Sequence, residues 1–81
     1  MYGAFMKYLL MSSPSHIVRT IHAYTLDRAL DVTFPCAHEV DRVNDCLVLF
    51  STPHYPRVAI VLSSQRDLLR DSDFDLAEHA S

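Results

Sequence analysis

Hydrophobic positions along this chain fall into a few short, dense runs. The densest are "DCLVLFS" and "RVAIVLSS", separated by "TPHYP". Runs this short, rich in Val, Ile and Leu and bounded by proline, fit strands better than helices, and a five-residue connection suits an antiparallel hairpin. Near-continuous apolar character marks a strand covered on both faces. The pattern predicts strands over 46–51 and 57–63 in the middle of a sheet, with Leu47, Leu49, Val58, Ile60 and Leu62 in the core. The apolar opening "MYGAFMKYLLMSS" reads as a structural strand or helix, with a strand near the N-terminus the expectation for the sheet.

Elsewhere the spacing favours helices. Ser13 and Pro14 make a cap and first-turn pair, and Ile17, Ile21 and Tyr24 recur at helical intervals, which predicts a helix near 14–29. The frequent β-branched residues, and Leu26 and Leu30 on the other face, keep a strand through 16–25 in competition. "DVTF" reads as a short strand ended by Pro35. Ala37, Val40 and Val43, spaced by threes, suggest a helical turn, against a short strand leading into an Asn-Asp turn. Ser64 followed by Asp67 is a capping pattern that predicts a C-terminal helix. On that helix Leu69 and Leu76 share one face, while Asp67, Asp71, Asp75 and Glu78 form a stripe opposite. Asp73 disturbs the apolar face, so a break near "DSD", with Ser72 or Asp73 as a new cap, is the variant to expect.

Eighty-one residues, 49% of them hydrophobic and 21% charged, make one compact domain over 1–81. Its class is α+β: a small, mostly antiparallel sheet with a central hairpin, packed against one or two helices including the acidic C-terminal one. The net charge of −3 is uneven: seven basic side chains face six acidic ones before residue 71, and none faces four from residue 71 onward. No apolar run reaches the ~20 residues that span a bilayer. Two cysteines and no evident signal peptide point to free thiols in a reducing, cytoplasmic setting.

The search for chemistry is mostly negative. A single glycine leaves no phosphate-cradling loop. Cys36, His38, Cys46 and His54 have the chemistry to hold zinc, but they lack the paired close spacing of a structural site. No metal, cofactor or catalytic residue is therefore assigned, and the chain is read as not an enzyme. The six arginines are scattered singly, which argues against direct binding of nucleic acid, and the acidic helix face argues against membrane docking.

What remains is the acidic stripe. Carboxylates four apart on a helix repeat about every 6 Å, a phosphate-like spacing that suits a partner built to bind nucleic acid. Asp67, Asp71, Phe74, Asp75 and Glu78 are the candidate partner-binding residues, with Phe74 either an exposed anchor beside the row or a ring tucked under the sheet. The expected function is a non-catalytic, protein-binding inhibitor or adaptor. Size and the acidic end suggest, more specifically, a phage-type anti-defence (anti-CRISPR-like) protein acting on a basic, nucleic-acid-binding protein partner. The alternative is a structural homodimeric subunit, and a small thiol-based sensor or enzyme comes third. A homodimer is expected, through Tyr2, Phe5, Tyr8 and Leu9 of the apolar opening.

Overall fold

The computed structural model describes residues 5–74. Five strands form one antiparallel sheet: β1 (Met6–Ser13), β2 (His16–Ala23), β3 (His38–Asn44), β4 (Leu47–Ser51) and β5 (Val58–Leu62), in the order β2-β1-β5-β4-β3. One helix, α1 (Leu26–Thr33), connects β2 to β3, and a 3-10 helix (Ser63–Leu68) and a single turn, α2 (Asp71–Phe74), follow β5. The fold is α+β.

The central hairpin forms as the apolar runs predict. β4 and β5 pair with Val48 opposite Ile60 and Leu49 opposite Ala59, and β1 closes the other side of β5 with Leu10 opposite Ile60. Alternation then divides the core in two. Tyr8, Leu10, Val48, Phe50, Val58 and Ile60 lie on one face with Leu26 and Ala29 of α1; Leu9, Met11, Leu47, Leu49, Ala59 and Val61 lie on the other with Leu69 and Phe74. Both faces of the three inner strands are covered, which is why their sequences are apolar almost without interruption.

Residues 14–29 correct the predicted helix. Ser13 and Pro14 open a tight turn, a position proline's fixed φ serves as well as it serves a first helical turn. β2 follows, with Ile21 and Ala23 buried on the face of Tyr8. The helix starts later, where Thr25 takes the cap: its Oγ1 accepts the Arg28 N–H at 3.1 Å. Leu26, Ala29 and Leu30, left out of phase by a helix over 14–29, are the stripe that α1 lays on the sheet. "DVTF" is likewise no strand. Asp31–Thr33 complete α1, the Phe34 N–H closes the last turn on Leu30 O at 2.7 Å, and the Phe34 ring packs on Phe50 with centroids 5.3 Å apart.

The suggested helical turn over 37–43 is the edge strand β3. Two register shifts interrupt it, one between His38 and Asp41 and one between Arg42 and Asn44, and each inserts an extra residue. Glu39, inside the first, takes a φ of 52°. A strand broken twice in seven residues has no period of two to display, and its valines fall three apart. The Asn-Asp turn does form, with the Cys46 N–H donating to Asn44 Oδ1 at 2.7 Å.

The helix predicted from Ser64 is replaced by a 3-10 helix with a kink at Gln65 and no side-chain cap. The chain turns extended at Leu69 (φ −74°, ψ 139°), whose side chain enters the second core cluster. Leu69 and Phe74 would lie about 140° apart on a continuous helix; the interruption lets both reach the sheet. α2 then restarts with Asp73 reaching back to the Arg70 N–H at 2.9 Å while its own N–H donates to Arg70 O at 3.0 Å. The break falls just before "DSD", but neither Ser72 nor Asp73 is the new cap: α2 starts at Asp71, and Asp73 bonds back to Arg70 from inside the turn. The rest of the predicted C-terminal helix, with Asp75, Leu76 and Glu78, lies outside the described residues. No helix among the described residues is long and apolar enough to cross a membrane.

Candidate functional site

The acidic row predicted on one helix is divided by the fold. Asp67 is exposed near the end of the 3-10 helix, and Asp71 is exposed as the first residue of α2, with extended Leu69 between them. The helical spacing that would align them does not exist over this stretch. Phe74 is half-buried and packs against the second core cluster, so its ring is tucked under the sheet. Asp75 and Glu78 lie outside the described residues.

The predicted dimer residues also separate. Tyr8 and Leu9 are buried within the chain, one on each face of β1, because β1 is an inner strand. Neither is available to a second copy. Phe5 is exposed and stacks on Tyr24 with centroids 4.4 Å apart. Tyr2 lies outside the described residues. Burial pushes the Tyr8 phenol above its ordinary value, and nearby Cys46 raises it further.

Cys36, exposed, precedes β3, and Cys46, half-buried, follows it. A seven-residue strand, about 20 Å long, lies between the two thiols, far beyond the reach of a disulfide. His38 Nδ1–H donates to the Ser51 carbonyl at 2.9 Å, which fixes its ring against β4. Among the described residues no group of three or more His, Cys, Asp and Glu side chains is placed to hold a metal ion.

The surface that the linear pattern missed is the β3 edge. All seven residues of β3 are exposed, and Val40 and Val43, each 49% exposed, stand among Glu39, Asp41 and Asp45. Three ties hold this edge in place. Ser51 Oγ donates to the Pro56 carbonyl at 2.6 Å and lies 3.2 Å from Glu39 Oε1, Arg42 meets Asp27 of α1 at 3.1 Å, and Arg57 bridges Asp41 at 3.8 Å and the Asp73 carbonyl at 3.3 Å. Arg57 thereby links β3 to the start of α2. Between them runs an open groove of ≈ 320 Å³ lined by Val43, Asn44, Leu47, Leu68, Arg70, Ser72 and Asp73. Residues 68–73 and the edge strand β3 are two sides of one groove. A signal was present in "HEVDRVND", where two valines stand among charged residues ahead of a turn pair; the bulges hid it as helical spacing.

No family model, no curated protein and no solved structure matches this chain.

Proposed function

We propose that this protein is a non-catalytic protein-binding module, an inhibitor or adaptor that docks its acidic β3 surface on a basic protein. The observation that carries the reading is the edge strand itself: fully exposed, with two valines set among carboxylates, and flanked by a groove shared with the segment that bears Asp67 and Asp71. Apolar spots flanked by the Glu39, Asp41 and Asp45 carboxylates, with Arg42 and Arg57 engaged by Asp27 and Asp41, give a partner both a desolvated anchor and electrostatic guidance. Side chains make the contact, because two bulges in seven residues deny a partner strand a continuous backbone ladder. Charge complementarity selects the partner class, a basic surface such as that of a nucleic-acid-binding protein, and a phage-type anti-defence (anti-CRISPR-like) role is the specific form of this reading.

The test is a competition. A basic nucleic-acid-binding effector, of the RNA-guided type, is loaded with labelled duplex DNA and titrated with the protein at low and at physiological salt. Displacement that weakens with salt, and that is lost in the Asp45→Lys, Asp71→Lys double variant, is the expected result. Equal displacement by the folded double variant overturns the acidic edge as the contact surface. No displacement by the parent overturns the role against that effector class.

A further inference from the structure

Among the described residues the sheet has two open edges, and they differ in what they permit. A two-fold axis that joins two copies edge to edge in an antiparallel sheet stands normal to the sheet. A residue and its own mate then point to the same face, as do directly opposite residues. Only registers centred on a residue satisfy both conditions. On β3 every such register from Val40 to Val43 opposes like charges: Glu39 with Asp41, Asp41 with itself, Arg42 with itself, or Asp41 with Asp45. The β3 edge refuses a second copy.

The β2 edge accepts one. Its regular part is Arg19–Ala23, which pairs with β1 residue for residue from Leu10 to Met6, and Val18 is the extra residue of the bulge that follows. The register that uses this whole stretch is centred on Ile21. It sets Ile21 against Ile21 of the second copy, Thr20 against His22, and Arg19 against Ala23. Arg19 is the only formally charged residue of β2, and in this register the two copies of it stand four positions apart, about 13 Å. One step further out, Val18, 37% exposed, comes opposite Tyr24, 54% exposed and already stacked on exposed Phe5. This register, which uses the whole regular stretch without opposing like charges, thus also covers Val18 and Tyr24, apolar groups left open at this edge. We infer that β2 joins two copies of this chain into a continuous ten-stranded antiparallel sheet, in the register centred on Ile21. The inference is independent of the acidic surface, which lies at the opposite edge and stays free in the dimer.

Analytical ultracentrifugation of the full chain tests it with two double variants at exposed positions. Thr20→Glu with His22→Glu opposes two carboxylates twice across the axis, and Thr20→Lys with His22→Glu opposes unlike charges at the same places. The parent is expected to be a dimer at micromolar concentration, the first variant to dissociate with a dissociation constant raised at least tenfold, and the second to remain dimeric. A parent that is monomeric at 100 μM overturns the inference without any variant. Equal weakening in both variants overturns the register, and no weakening in either overturns the edge. Amide exchange on the parent supplies a reading that needs no substitution: protection within 19–23 should rise with concentration, and concentration-independent protection there counts against the dimer.

Discussion

Phe74 decides how the end of the chain is read. A ring packed under the sheet belongs to the core, so Phe74→Ala should cost about 1–3 kcal/mol, below the figure for a fully buried phenylalanine because the ring is only half-covered. Urea unfolding measures this, and a loss under about 0.5 kcal/mol would place the ring outside the core. The residues most legible in the sequence were those of the central hairpin. Leu47, Leu49, Val58 and Ile60 are buried as their unbroken apolar runs require, and Leu62 packs partly buried beside them. Phe74 was legible only as one of two alternatives, because its direction depends on where the preceding helix stops, and no glycine marks that point. The stop is set by Leu69, whose place in the second cluster is a tertiary fact.

Among the elements, α1 depends most on a single contact. It has eight residues, a length that propensity alone does not sustain, and Thr25 satisfies one of its first N–H groups. Thr25→Ala should lower stability by about 1 kcal/mol, with Thr25→Ser close to neutral, as read from thermal melts. The competition between helix and strand over 14–29 resolved into both, in sequence, and the division was readable from the β-branched density of 17–21 and the Leu26–Leu30 pair. What misled the reading was Ser13-Pro14, which begins turns and helices alike. β3 was obscured for another reason: edge strands are kept irregular, and the bulges that protect them erase the alternation by which strands are recognised.

At the scale of the molecule, composition gave the class and the single sheet, whereas strand order was beyond it. Nothing local says that β1 pairs with β5, and hence that Tyr8 is interior. That placement has a measurable result. The Tyr8 phenol is raised above its ordinary value mainly by burial, so the folded state holds this proton more tightly than the unfolded chain does. The stability that this contributes is complete below about pH 10, the unfolded value, and is lost as pH rises through the folded one. Unfolding free energy should therefore decline above pH 10, and Tyr8→Phe should flatten the decline. An identical alkaline slope in that variant would assign the effect to other groups. The groove beside the acidic edge was beyond the sequence for the same topological reason: β3 and the segment after β5 become neighbours only through the assembled sheet.

The joining of first strand to last has a consequence for how the chain is made. Leu10 meets Ile60, so residues 11–59 must be synthesised between the two halves of one contact, and closing such a loop costs roughly 3.5 kcal/mol of chain entropy before any contact repays it. During translation the β1–β2 hairpin can form early, but Leu9 and Met11 stay uncovered and one side of β1 stays open until Val58–Leu62 arrive. Folding of the sheet is thus held until β5 has been made, and a contact so distant in sequence should make it slow. The nascent intermediate presents a sticky strand that the finished protein never shows.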